Sequence, residues 1–369
     1  VKWVSWGLKL LFLINIFLAA GFLISGFAPK ISPVKSDIPF LFGIIFPYLL
    51  IINVLFLLYW ISTSKLYWIL SGAVIALNYS GINALFALNF EEKPGFNEKN
   101  ISIQVFNVRA FNQFRWINHD QVGDSIMNYI TEQNADVVLF QEFLDEINGR
   151  SKYISTLQKR GYNYYHHEPP GAMFAKKDQV FGMVTFSKFP IISAGNLYHP
   201  LHPRKAKAIF SDIDIGGDTV RFYNIHLNSV SMEVNDYLFI KEFGRGFSDA
   251  TINYAVYLIE KILRSARERA AEVEMIRNHQ DSCPYDYILV GDFNEPPHTY
   301  AYTNILGDDQ DAFLEAGLGL GHTYLGGANM PSMRLDYVLG SSNIKWTSYR
   351  TDHVKLSDHY PIQASFTLP

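Results

Sequence analysis

Cysteine is almost missing from this sequence: Cys283 stands alone among 369 residues, so no internal disulfide can staple the fold. Charge is scarce as well, at 18% of residues against about 25% in ordinary soluble proteins. The scarcity is local. Residues 1–90 hold only Lys2, Lys9, Lys30, Lys35, Lys65 and Asp37 as charges, and none of the 11 histidines. The chain's 31 basic and 35 acidic residues therefore leave 26 and 34 in residues 91–369, a formal −8. With 49% hydrophobic and 15% aromatic residues, this excludes a disordered chain, a disulfide-bonded miniprotein and a wholly soluble protein. An acidic body also disfavours a protein that holds nucleic acid chiefly by charge.

What fills the first ninety residues is apolar. Residues 10–28, 38–61 and 66–90 contain no charge, and each meets the roughly 20 residues that cross a bilayer as helix. They predict a three-helix transmembrane anchor, hence a multi-pass integral membrane protein with the lipid bilayer as a partner. The first stretch alone could be a signal peptide, with Ala19-Ala20-Gly21 near its end; the two further spans favour an uncleaved anchor. Asn53, Asn78, Asn83 and Asn89 are expected to bond between neighbouring helices. No Asp, Glu, Arg or His lies inside a span, which disfavours transport. The basic N-terminus and the acidic exit at Glu91 and Glu92 place the following domain on the extracytoplasmic side.

Residues 91–100, with Pro94 and Gly95, read as a linker, and residues 101–369 as one domain. Apolar runs at 101–108, 136–140, 181–186, 208–213, 219–226, 287–290, 334–339 and 363–368 read as strands; residues 122–133 and 251–279 have helical spacing. Many strands with few long helices predict an α+β fold, two sheets face to face with helices outside.

Polar residues stand at the ends of these runs: Asn107, Glu142, His226, Asn228, Asp292, Asn294, Asp336 and the pair Asp358-His359. Each has a structural reading by itself, as a turn residue, a helix cap, a core histidine or an ion-pair partner. Joint occurrence in one order, each beside a buried strand, predicts one convergent site. Carboxylates with an amide oxygen suit Mg²⁺ or Mn²⁺. The sequence has no HExxH, no Cys/His cluster and no P-loop, so zinc chemistry and a nucleotide cofactor are not indicated. Phosphate-ester hydrolysis is the chemistry such a set suits.

The ordered motifs FNVR, FQE, SKFPI, NIHLN, GDFN, RLDYVL and SDHYP resemble the endonuclease/exonuclease/phosphatase superfamily over residues 101–368. The resemblance implies a four-layer α/β/β/α sandwich and a Mg²⁺-dependent phosphoesterase. It implies Asn107 and Glu142 in the metal shell, with Asp358 near that shell or at a second metal position. Asp292 would orient and activate water, Asn294 would hold water or phosphate, and His359 would contact the scissile phosphate with Asp336 fixing its tautomer. His226 would stabilise the transition state. Abasic-site members carry a phosphate-binding Tyr before SKFP; here that region reads Gln179-Val180-Phe181-Gly182.

The segment 229–250 is enlarged, and its Tyr237, Phe239, Phe243 and Phe247 would form either a substrate wall or core packing. Arg204, Lys205 and Lys207 would meet an anionic head group or lie in a solvated loop, and Arg109 would reach phosphate or pair with a carboxylate. The expected function is a membrane-anchored hydrolase of phosphodiesters or phosphomonoesters, with a phospholipid or lipid-linked ester as substrate. A nuclease of the same fold is the alternative, weakened by the −8 charge. A non-enzymatic receptor or scaffold on a degenerate fold should have lost at least one of these residues.

Overall fold

The computed structural model describes residues 2–63, 66–90, 100–146, 151–168, 179–199, 205–242, 248–326 and 331–368. The chain divides into two units, Val1–Phe86 with Glu295–Asn304, and Ala87–Asn294 with Ile305–Pro369.

The first unit contains helices α1 (Lys2–Ser25), α2 (Asp37–Ile44), α3 (Phe46–Ser62), α4 (Trp68–Leu77) and α5 (Tyr79–Leu85). Among the described residues, only α1 is by itself long and apolar enough to cross a membrane, over Trp6–Ser25. The expectation of three continuous spans is corrected. The second stretch bends by 68° between α2 and α3, and the third by 67° between α4 and α5. At the first break Pro47 sits in the opening turn of α3, where its missing N–H is harmless but a continuous helix would be interrupted. At the second, Asn78 turns its amide onto the Phe22 carbonyl of α1 at 3.0 Å and the Val74 carbonyl of its own helix. Asn53 bonds mainly within its own helix, to the Leu49 carbonyl at 2.9 Å. The inter-helix amide that hydropathy did not single out is Asn15, which donates to Ser71 Oγ and accepts from Trp60 Nε1. Within this unit His298 packs its ring on Phe46, 4.3 Å between centroids.

The second unit begins with strand β1 (Ala87–Leu88), so the third apolar stretch ends as sheet rather than helix. Asn89, expected inside a span, instead donates to the Leu314 and Gly317 carbonyls of this unit. There follow β2 (Ile101–Asn107), α6 (Val122–Gln133), β3 (Val137–Glu146), α7 (Tyr153–Lys159), β4 (Tyr164–His167), β5 (Gln179–Ser187), β6 (Ile191–Tyr198), β7 (Ala206–Ile215) and β8 (Asp218–His226). The enlarged segment contains α8 (Val234–Glu242) and leads into α9 (Asp249–Asp281). Then come β9 (Asp286–Asp292), α10 (Tyr300–Leu306), whose residues 300–304 count with the first unit, β10 (Gln310–Asp311), α11 (Ala312–Ala316), β11 (Leu318–Gly319), β12 (Asp336–Gly340), β13 (Lys345–Thr351) and β14 (Ile362–Thr367).

Two six-stranded sheets result, in the orders β10-β12-β9-β8-β7-β6 and β13-β14-β2-β3-β5-β4. Their facing sides share one apolar core, in which Ile103, Val105, Val137 and Leu139 of one sheet meet Phe222, Ile288, Val290 and Val338 of the other. A second core lies beneath α6 and α7, where Ile126, Ile130 and Leu157 cover Phe106, Phe140 and Phe186. The alternation of these side chains along β2 and β3 is the period of two that sends neighbours to opposite faces. On the other outer face, α9 buries Ala266, Ala270, Val273 and Ile276, and its His279 accepts or donates at 2.9 Å to the Tyr223 hydroxyl of β8. The sheets carry helices outside and an apolar core between them. This is the layered α+β architecture.

Candidate active site

Two parallel strand pairs explain why distant residues meet. β2 runs parallel to β3, and β8 parallel to β9, so each pair delivers its C-terminal residues to the same edge. His226 and Asp292 are direct register partners across β8 and β9. β12 runs antiparallel to β9 and therefore presents its first residue, Asp336, directly opposite Asp292. Asp358 and His359 arrive just ahead of β14, and a bridge pairs His359 with Tyr324. The two sheets touch here: Asn107 Nδ2 at the end of β2 donates to Asp292 Oδ2 at 3.2 Å.

Glu142 does not follow its strand, as the sequence suggested, but lies inside β3. Between Phe140 and Phe143 the register against β5 slips by one residue, and Glu142 takes φ 51°, a left-handed conformation. The bulge separates two neighbours. Gln141 turns inward, donating to Asn224 Oδ1 at 2.6 Å, while Glu142 reaches the rim with its Oε1 3.8 Å from His226 Nε2. The side chain keeps 31% exposure. Loss of solvent on most of its surface, then repulsion from Asp358, pushes its pKa up.

The best-defined pair is His359 and Asp336, with Nδ1 2.7 Å from Oδ2 and both side chains buried. His359 Nε2 points towards Asp292 Oδ2 at 3.6 Å. Burial alone would lower the imidazole's pKa, but the carboxylates of Asp336 and Asp292 outweigh it and hold it well above the usual value. Asp292 is pushed up to about 7, first by burial and then by Asp336 and Glu142, with His359 opposing. His226 is shifted the other way: burial, then the charges of Lys205 and Lys207, keep it well below the ordinary range and neutral. One site thus holds a charged and an uncharged imidazole.

The GDFN turn is built tightly. Gly291 has φ 130°, and a Cβ there would sit 2.0 Å from the Ile225 carbonyl oxygen, so a side chain would force β9 off β8. Asn294, at φ 52°, donates its backbone N–H to Asp292 Oδ1 at 2.8 Å and its side-chain amide to the Leu227 carbonyl at 3.0 Å. Its side-chain nitrogen is thereby occupied. Asp358 pairs with Arg109, Oδ2 to Nη1 at 2.9 Å, which decides Arg109's alternatives in favour of a carboxylate partner. Asn228 turns away to α9, donating to Glu268 Oε2 and, from its backbone, to Glu272 Oε2.

Several supporting residues carried no sequence signal. The Thr323 hydroxyl accepts from the backbone N–H groups of Leu335 and Asp336 and so fixes the start of β12. Tyr324 lays its ring 5.2 Å from that of His359. Burial, then the nearby Tyr237 hydroxyl that hydrogen-bonds to it, raises the Tyr324 phenol, so the enlarged segment does reach the site through Tyr237. Phe239 instead packs on Tyr254 of α9, 4.7 Å apart. Lys207 is locked to Glu272 at 2.7 Å, both buried. Arg204, Phe243 and Phe247 lie outside the described residues.

Asp292, Asp336 and His359 offer donor atoms within 4.8 Å of one another, close enough to share an ion. The 2.7 Å contact already engages His359 Nδ1 with Asp336, which favours a hydrogen-bonded pair over an open ligand set. Glu142, Asn107 and Asp358 offer only hard oxygen donors at the same rim, the donor set of Mg²⁺ or Mn²⁺. The mutual repulsion of Glu142 and Asp358 is what a bound cation would relieve.

Comparison with known proteins identifies the family and the fold. Residues 105–359 match the model of the Endonuclease/Exonuclease/phosphatase family, and residues 8–85 match a domain of unknown function. No curated protein matches. Among solved structures, an endonuclease/exonuclease/phosphatase family protein from Leptotrichia buccalis is 20% identical, with a TM-score of 0.51, covering 72% of this chain and 98% of its own. One from Bacteroides vulgatus is 16% identical with the same TM-score, over 73% and 99%. At these identities the likeness concerns the fold.

Proposed function

Because the chain belongs to the endonuclease/exonuclease/phosphatase family, we propose that it is a membrane-anchored, divalent-metal-dependent hydrolase of a phosphodiester or phosphomonoester. The single observation that carries the reading is the buried His359–Asp336 pair set against Asp292, within one rim of Asn107, Glu142 and His226. Glu142 and Asn107 would hold Mg²⁺ or Mn²⁺, with Asp358 beside them, and the bound ion would polarise a phosphoryl oxygen.

The remaining work falls to side chains. Asp292, with a pKa near neutrality, orients a water and takes its proton at Oδ2. The Asn294 amide oxygen helps hold that water. His359, positively charged and fixed by Asp336, donates from Nε2 to the phosphate. Neutral His226 donates a second hydrogen bond as charge builds on the equatorial oxygens. The burial of Asp292 and Asp336 keeps these dipoles in a poorly screened setting, where they act most strongly.

The apolar helix α1 supports an anchor, with Lys2 and Lys9 on the cytoplasmic side and the enzyme outside. An anchored enzyme meets esters at the bilayer surface at high effective concentration, which favours a phospholipid or lipid-linked substrate over nucleic acid. The −8 charge supports the same choice. The test offers detergent-purified full-length protein mixed phospholipid vesicles and plasmid DNA with Mg²⁺, with His359→Ala as control. Lipid cleavage lost in the variant and in EDTA supports the proposal. DNA nicking with the same dependence would replace it by an anchored nuclease, and no cleavage of either would overturn phospholipid as the substrate class.

A further inference from the structure

Immediately beyond Asn107 the backbone is wound into an unusual loop. Arg109, Ala110, Phe111 and Asn112 all have positive φ, between 43° and 61°, and Arg115 follows at 54°. Non-glycine residues enter this region at a cost of about 1–2 kcal/mol each, so the shape persists only because its surroundings enforce it. They do. Phe111 is buried and stacks on Tyr153 at 3.9 Å. Asn112 clamps the loop, donating to the Ile117 carbonyl and accepting from the Ile117 N–H, each at 2.8 Å.

What this rigid base holds out is an aromatic, a cation and an aromatic. Phe114 is 58% exposed and Trp116 55%, and the Arg115 side chain between them is 85% exposed. The Arg115 contact with Asp120, at 3.9 Å between two exposed groups, neutralises little. The two rings meet edge to face at 6.0 Å, and Trp116 lies 4.2 Å under the Arg109 guanidinium. Arg109 in turn grips Asp358, the neighbour of His359. The tip is therefore one side chain away from the site.

Three successive side chains, each more than half exposed, protrude and cannot line the recess that a small rigid ligand requires. A protruding pair of rings flanking a cation matches a deformable layer that is apolar within and phosphate-bearing at its surface. Tryptophan favours that boundary, and a basic residue there finds lipid phosphate. We propose that residues 113–116 are an interfacial anchor that seats the mouth of the site on a phospholipid surface. The anchor deepens the hydrolase reading by fixing where the substrate is presented, and it rests on that reading only for its kinetic arm.

The test uses full-length protein in vesicles of equal parts phosphatidylcholine and phosphatidylglycerol, with and without bromine on the acyl chains. Emission of wild type minus that of Trp116→Phe isolates Trp116, and the helical unit contributes equally to both. More than half of that difference signal is expected to be lost to brominated lipid. A signal untouched by bromine and quenched by aqueous acrylamide would overturn the anchor, as would one shielded from both, which means a protein partner or second copy covers the tip. Because this readout needs no turnover, it fails or succeeds apart from the hydrolase reading. Phe114→Ser should lower cleavage of vesicle-borne phosphoester by about tenfold, the scale of one lost aromatic insertion. Hydrolysis of bis(4-nitrophenyl) phosphate in micelles should not change, and an equal loss on both substrates would sink the proposal.

Discussion

At the residue scale the pair of His359 and Asp336 separates positioning from contact. Asp336 reaches only Nδ1, so Asp336→Asn should leave His359 in place but lower its basicity. A loss of about 10²–10⁴ in kcat is expected on either His359→Ala or Asp336→Asn. The thermal midpoint of each should stay within a few degrees, and unfolding of either variant would assign that residue a structural task instead. Asp292 supplies a prediction of opposite sign for stability. Its folded pKa is raised to about 7 from an ordinary carboxyl value, so the folded state favours the protonated form. The stability that this confers is complete below the unfolded pKa and is lost as pH rises through about 7. In EDTA, Asp292→Asn should therefore melt higher than wild type at alkaline pH and no higher near pH 4, as calorimetry across that range would report.

At the element scale the bulge in β3 is what splits Gln141 from Glu142. Asn224 secures the inward half, accepting from Gln141 and donating to the Phe140 and Val184 carbonyls at 3.0 and 3.1 Å. Asn224→Ala should destabilise the protein by about 1–3 kcal/mol, the range for orphaning buried partners, as urea titration would measure. Restoring kcat by higher stability alone, for instance at lower temperature, would distinguish this from a catalytic loss. The meeting of Asn107, His226, Asp292, Asp336 and His359 was legible in the sequence because each follows or opens an apolar run. Runs that pair in parallel must deliver their ends to one edge. The bulge was not legible: FQE reads the same whether or not the strand continues. Thr323 was hidden for a related reason, since a hydroxyl that serves two backbone N–H groups has no partner side chain to set a spacing. Hydropathy likewise marks how apolar a stretch is and is blind to direction, so the turns at Pro47 and Asn78 passed as straight spans.

At the scale of the whole molecule, α1 predicts retention in the membrane. Full-length protein should stay in the pellet after an alkaline carbonate wash, and its release into the supernatant would remove the anchor from the proposal. The two units are also interleaved along the chain. Glu295–Asn304, which starts directly after Asn294 of the GDFN turn, counts with the helices, and there His298 rests on Phe46. A protease cutting near residues 91–100 would sever one connection and leave the helices holding this second piece of chain by packing alone. Removal of residues 1–86 would therefore take away the helices with which residues 295–304 are grouped. A shortened gene starting after residue 86 would make a protein with a ten-residue stretch stripped of its apolar partners.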